Sequence, residues 1–332
     1  TYQLIDLTFF NDKIVYGKYS MDSYNGEEDV YLYDLKSRTE TTIMKMRRIY
    51  ARSLSDKYVI YSTARNNELK DVTAVYLYDI QTKQTKTIYE EEGDNIEPFV
   101  SDNYVSWIHR KHIFPEDGSN MYIESELLLY DIDSQEIIKI ANTNPSYWRY
   151  SDEGPKVDDT RVVWIDGSET NNDIYQYLIA TGKISKITNT NSPKAYLYLS
   201  DNYVTWSDLK YESDNNKYYW NQGNSEIFVY DFSKQKEYRI TDDDSFDTQP
   251  SIFENKLVFA SSKDGNFNIY LYNLTCLNNG KIYPLPESNG CFSGDNICSE
   301  NCTYLTDNDC PSCSNDLDCD DELSCTKDFC NK

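Results

Sequence analysis

Cysteine is absent from residues 1–275 of this 332-residue chain, and all nine cysteines lie between Cys276 and Cys330. Histidine is scarcer, limited to His109 and His112. These read as a His-Arg-Lys-His segment in a solvated cationic loop, without the glutamate of a zinc-protease helix. A Gly-x-Ser-x-Gly elbow, a phosphate-cradling glycine loop and a dinucleotide fingerprint are all missing, which removes the common sequence signatures of hydrolases and nucleotide enzymes. No run of 18 or more apolar residues occurs, so membrane insertion through a helix is not expected. Positive charge is also short. Against 56 acidic residues there are 32 basic ones, a formal net charge of -24, which repels phosphate backbones and anionic lipid and argues against a nucleic-acid partner. The chain begins Thr1-Tyr2-Gln3, which suggests a processed, exported product.

What the sequence does contain is a repeat. Six segments open on Asn11, Asp56, Asp102, Asp159, Asp201 and Glu254 and close five residues later on Tyr16, Tyr61, Trp107, Trp164, Trp206 and Phe259. Each is followed by an apolar-aromatic-apolar-Tyr phrase ending at Tyr33, Tyr78, Tyr130, Tyr177, Tyr230 or Tyr272, at intervals of 42 to 53 residues. Self-similarity at this period, with several short strands per unit, is the mark of a β-propeller. The fifth unit resolves into strands at 195–200, 203–207, 226–232 and 237–241, whose apolar and aromatic residues fall on both faces. A blade packed between two others needs that pattern, and a wedge widening outward explains why there are 31 tyrosines.

Units carrying Asp247-x-x-Pro250, a strand ending in an aromatic, Ile269-Tyr270-Leu271-Tyr272 and an outer strand such as Arg239-Ile240-Thr241 resemble the six-bladed propeller of the TolB type. Its Ser-Pro-Asp-Gly turn is represented here by Ser101-Asp102-Asn103 and Ser200-Asp201-Asn202. The resemblance implies an all-β, six-bladed propeller of four-stranded antiparallel blades over residues 1–287, followed by a small disulfide-rich segment, 288–332. It extends to interaction modules, surface proteins and accessory domains of peptidases alike, so it does not fix a function. The last outer strand is expected at 281–285.

The tail is too poor in apolar residues to form a core, so disulfides must stabilise it. Its candidates are Cys276, Cys291, Cys298, Cys302, Cys310, Cys313, Cys319, Cys325 and Cys330; connectivity cannot be read from spacing, although Cys276 and Cys291 flank the last strand and could hold it. Asn273 and Asn301 are sequons, hence candidate glycosylation sites. Zinc is not expected, since Cys310-Pro311-Ser312-Cys313 has no matching second pair. Asp316, Asp318 and Asp320 open like an EF-hand, but Asp321 and Lys327 replace its Gly and Glu. No cofactor is expected, and calcium only on acidic loops.

On this reading the protein is an exported, non-enzymatic structural or adhesive propeller of the cell surface or an extracellular fibre. Acidic connections (Glu90, Glu91 and Glu92; Asp242, Asp243 and Asp244) fall at one end of the blades. Basic turns (Lys36, Arg38, Lys83, Lys183, Lys234 and Lys236) fall at the other, so copies could stack head to tail. One alternative is a solitary secreted propeller binding a protein or glycan through loop residues Tyr211, Tyr218, Tyr219 and Trp220. Another is an enzyme acting on glycans or peptides, which would need convergent acids or a nucleophile; Asp6 is an inner-strand acid of that kind.

Overall fold

The computed structural model describes residues 2–20, 27–47, 49–65, 72–113, 115, 122–143, 154–168, 171–188, 192–200, 202–209 and 225–274. Its regular elements are all strands. The first sheet holds β1 (Tyr2–Phe10), β2 (Lys13–Ser20), β3 (Glu27–Asp34) and β4 (Thr39–Arg47); the second holds β5 (Ile49–Leu54), β6 (Tyr58–Arg65), β7 (Val72–Asp79) and β8 (Gln84–Glu92). The third holds β9 (Asp94–Val100), β10 (Tyr104–Ile113), β11 (Tyr122–Asp131) and β12 (Ile137–Thr143); the fourth holds β13 (Lys156–Val157), β14 (Arg161–Ser168), β15 (Asn171–Leu178) and β16 (Lys183–Lys186). β17 (Lys194–Ser200), β18 (Tyr203–Leu209), β19 (Ser225–Asp231) and β20 (Lys236–Arg239) follow, then β21 (Asp247–Phe253), β22 (Lys256–Ser261) and β23 (Asn268–Asn273). Strand order within every sheet is sequential. This is an all-β, six-bladed propeller of antiparallel, four-stranded blades, of which the last shows three strands among the described residues. Two compact units, Thr1–Leu199 and Ser200–Lys332, divide the chain.

Three local devices recur and explain why the sequence folds this way. In blades two, three and four the turn after the inner strand is fixed by a short polar side chain: the Ser55 and Ser101 hydroxyls accept from the N–H groups of Tyr58 and Tyr104, and Asp158 accepts from those of Thr160 and Arg161. The residue leaving each third strand donates its N–H to that turn, as Leu35 to Asp12, Ile80 to Lys57, Ile132 to Asn103, Ile179 to Thr160, Phe232 to Asn202 and Leu274 to Asn255. The hairpin into the outer strand starts on an aspartate whose carboxylate accepts N–H groups two or three residues on, seen at Asp34, Asp79, Asp131 and Asp231. Four residues after each aspartate the backbone turns left-handed, at Arg38, Lys83, Gln135 and Gln235; the fourth blade uses Gly182 there.

Blade faces alternate as the sequence predicts. Val59 and Tyr61 of β6 pack against the first blade with Val15, Val30 and Leu32, while Ile60 between them packs toward the third with Val105 and Trp107. Ile108, on the other face of β10, meets Val162 and Trp164 of the fourth blade. The repeat aromatic of each second strand stacks across to the third strand in five blades, as Tyr16–Tyr31, Tyr61–Tyr76, Trp164–Tyr175, Trp206–Phe228 and Phe259–Tyr270, with ring centroids 5.2–5.7 Å apart. Such pairs are worth roughly 0.5–1.5 kcal/mol beyond burial.

The expected strand 281–285, every cysteine, Asn301, Tyr211, Tyr218, Tyr219 and Trp220, and the boundary at 287/288, lie outside the described residues. Asn273 closes β23 opposite Lys256.

Candidate functional site

The third blade breaks the aromatic pairing. Trp107 faces Leu128, not a ring, and its aromatic neighbour is Tyr89 from β8 of the second blade, at 5.3 Å. Tyr89 also sets its edge against His109, 5.2 Å away. The two histidines are therefore not in a solvated loop. Both belong to β10, which continues the Trp107 strand, and His109 is 0% exposed, two residues beyond Trp107 on the same face. His112 is exposed and pairs with Asp94 at 2.9 Å.

The chain reaches His109 through a tight passage. Gly93 joins the outer strand of blade two to the inner strand of blade three with φ of 119°, and a Cβ there would lie 2.1 Å from the Arg110 carbonyl oxygen. Only glycine permits both the angle and the approach. Asn95 follows, also 0% exposed and opposite His109 in the ladder. Its backbone N–H donates to Thr73 Oγ1 at 2.6 Å, the Thr73 hydroxyl donates to the Gly93 carbonyl at 2.9 Å, and Asn95 Nδ2 donates to the Thr73 carbonyl at 2.9 Å.

These bonds fix the imidazole tautomer. With Nδ2 committed to a carbonyl, Asn95 presents Oδ1 to His109 Nδ1 at 3.0 Å. An amide oxygen accepts only, so Nδ1 carries the proton and Nε2 carries a lone pair. Nε2 is buried and has no hydrogen-bond partner among the described residues. The nearest carboxylate oxygen, Glu91 Oε2, is 3.8 Å away on a side chain that is 49% exposed, and it is also 3.5 Å from Lys111 Nζ. Burial, and then Lys111, push the His109 pKa below its ordinary value, against the opposing charges of Glu91, Glu126 and Asp94. Glu126, across the ladder, is held ionised by Lys139 at 2.6 Å. The result is a buried imidazole held in one tautomer beside a half-exposed carboxylate.

Sequence reasoning missed Asn95 and Thr73. A signal was available in the spacing, because 22 residues also separate Asn172 from Lys194 and Ser225 from Asp247, and each pair is hydrogen-bonded in the same place. Several charges at the blade ends are paired within their own sheets. Lys36 binds Asp12 at 2.7 Å in the adjoining turn of its own sheet, and Asp29, Glu91 and Asp173 are paired with Lys45, Lys111 and Lys186. Asp242 is paired with Arg239. Among the described residues no group of three or more His, Cys, Asp or Glu is placed to hold a metal ion.

Neither a protein-family model nor a curated protein matches the sequence. Solved structures do. The β-propeller domain of the Trilobed protease from Pyrococcus furiosus is 17% identical, with a TM-score of 0.60 over 86% of this chain and 85% of that one. Pyrococcus horikoshii acylaminoacyl peptidase is 16% identical with a TM-score of 0.61, over 86% of this chain but 46% of the peptidase, so the present chain spans under half of that enzyme's length. TolB from Acinetobacter baumannii aligns more loosely, with 15% identity and a TM-score of 0.47 over 78% of this chain and 63% of TolB. At these identities the likeness establishes the fold. It also corrects the expectation of a non-enzymatic protein, because propellers of this form occur within peptidases and the missing motifs therefore exclude nothing.

Proposed function

We propose that this propeller is part of an exported enzyme acting on peptides, and that the junction of its second and third blades meets the substrate. The observation that carries the reading is the break in the repeat. Five blades keep an aromatic pair, and the third gives it up where a buried imidazole is oriented by Asn95 and left with a bare Nε2. Departures from a repeat's own rule concentrate at functional sites, where strain and unmet hydrogen bonds are tolerated for a purpose. Peptidases hold the better-matching propellers, at TM-scores of 0.60 and 0.61 against 0.50 and 0.52 for oligogalacturonate lyases, and this favours a peptide over a glycan. The test is release of labelled peptides from fluorescein-casein by the full chain, compared with Glu91→Ala, a change at a half-exposed position that leaves the core untouched. Turnover that falls at least tenfold in the variant supports the reading; a wild-type chain inert toward casein and toward a mixed short-peptide library refutes it.

A further inference from the structure

The His109 ring is enclosed by four strands besides its own. From β8, Tyr89 sets its edge against the ring and Glu91 Oε2 lies 3.8 Å from Nε2. From β9, Asn95 takes the Nδ1 proton, and Asp94 is bound to His112. Glu126 of β11 is tied to Lys139 of β12, and Lys111 follows on β10 itself. A second ring proton could only go to Nε2, which is buried and has no hydrogen-bond partner. Glu91 does not meet it, because 3.8 Å is too long for a hydrogen bond and the carboxylate is already engaged by the Tyr89 hydroxyl and by Lys111 at 3.5 Å. In the closed junction an imidazolium would therefore have neither water nor a bonded counter-ion.

We infer that His109 makes the junction of blades two and three an acid-sensitive latch, in which proton uptake on Nε2 parts Thr73 and Tyr89 of blade two from Asn95 and His109 of blade three. Only an opened junction lets the charged ring reach water. This holds whether or not the chain acts on peptides, since it depends on the packing of the ring alone. Thr73 grips Asn95 through its hydroxyl and its carbonyl, so parting the blades at His109 releases that grip as well. The sign follows from the two states of the ring. In the closed junction burial, and then Lys111, lower its pKa against the charges of Glu91, Glu126 and Asp94; in the open one it has the ordinary value of about 6.5. Closure is thus at full strength above about pH 6.5 and weakens as pH falls from there toward the closed-state pKa. A ring that stays neutral in the closed junction down to pH 5.5 weakens closure about eightfold between pH 7 and that point. Carboxylates of ordinary pKa, near 4, change little in this window. That leaves the histidines, of which the chain has two, to dominate it.

Amide hydrogen exchange of the full-length protein reads the opening, and ¹⁵N-histidine labelling reads the rings, which give two separable sets of signals. At pH 7 His109 should be neutral, with its proton on Nδ1. Between pH 7 and 5.5 the protection of the Asn95 amide, corrected for the intrinsic rate, should fall about eightfold. Amides of Val59 and Tyr61, which pack between blades one and two, should keep theirs. Lys111→Gln changes a part-exposed position and removes the like charge beside the ring, so it should shrink the fall. His109→Gln should abolish the fall, and His112→Gln should leave it in place. Constant protection of Asn95 across the window overturns the latch. So does a His109 ring that takes up its second proton while Asn95 stays protected, which would mean that Glu91 swings onto Nε2. An undiminished fall in both Lys111→Gln and His109→Gln overturns it too, by placing the sensor elsewhere.

Discussion

Replacing Gly93 by alanine tests the passage that delivers Asn95 to His109. Two penalties act together. A φ of 119° lies beyond the left-handed basin that non-glycine residues visit, a strain of about 1–3 kcal/mol. The new Cβ would sit 2.1 Å from the Arg110 carbonyl oxygen and 3.2 Å from His109 Cε1, so β9 and β10 must separate, and overpacking of this kind costs about 1–3 kcal/mol more. The expected loss is about 4 kcal/mol, a large share of the ~5–15 kcal/mol that holds a typical protein folded. Gly182→Ala supplies the control: φ is 66° and the nearest atom, the Tyr177 hydroxyl, is 3.8 Å away, leaving only the left-handed penalty of about 1–2 kcal/mol. Urea unfolding followed by tryptophan fluorescence measures both. Equal midpoints for the two variants would refute the reasoning, since they would mean that the close approach at Gly93 does not exist. The His109 ring signals should move in Gly93→Ala and stay in place in Gly182→Ala.

Lys83→Gly should stabilise the second blade by about 0.5–1 kcal/mol, because the left-handed strain at Lys83 exceeds the entropy that glycine adds to the unfolded chain; a midpoint shifted downward in urea counts against the hairpin geometry. Arg239→Ala removes the 2.8 Å partner of Glu226, which is 0% exposed, and should cost about 3 kcal/mol in thermal or urea unfolding, partly recovered by adding Glu226→Gln. Asp247 is buried, and burial raises its pKa against the opposing pull of the nearby Ser261 and Thr241 hydroxyls. The folded state therefore binds its proton more tightly than the unfolded state, so this contribution is present in acid and is lost as pH rises from about 4 through the folded pKa. Asp247→Asn should flatten the stability profile over that window and raise stability at pH 7; an unchanged profile sinks the assignment.

The propeller was legible in the sequence because its strands obey a strict period and its turns use residues with few alternatives. Tyr61, Trp107 and Trp164 mark second strands, and Ser101-Asp102-Asn103 marks a first turn, whatever surrounds them. The left-handed positions were not legible, since Arg38, Lys83 and Gln135 carry no glycine to announce them; aspartate four residues earlier is the better signal. His109 was misplaced for a physical reason. The segment Ile108 to Ile113 is mostly polar and cationic, which reads as loop, but β10 extends past the hydrophobic part of the blade and buries one of those polar side chains against Asn95 and Tyr89. Buried polar networks are invisible to hydrophobic periodicity, because their members are joined across blades instead of along a strand.

The junctions also show how a repeat can keep its fold while varying its chemistry. In each of three junctions the third strand of one blade grips the inner strand of the next 22 residues later: Thr73 Oγ1 accepts from Asn95 N, Asn172 Oδ1 accepts from Lys194 N, and the Ser225 hydroxyl donates to the Asp247 carbonyl. The grip uses backbone groups of the inner strand, so its side chains are free to diverge, and only the first of these junctions ends on an imidazole. That division makes a specific prediction. Thr73→Ser keeps the hydroxyl, as Ser225 does in its own junction, and should cost under about 1 kcal/mol. Thr73→Val keeps the shape but strands the Asn95 N–H and the Gly93 carbonyl in a buried place, for about 2–6 kcal/mol at 1–3 per orphaned group. It should also loosen Asn95 enough to let the neutral His109 ring populate both tautomers. Equal unfolding midpoints for the Thr73→Ser and Thr73→Val chains would mean that the grip is packing alone. The polar chain from Thr73 to His109 would then have no claim to orient the imidazole.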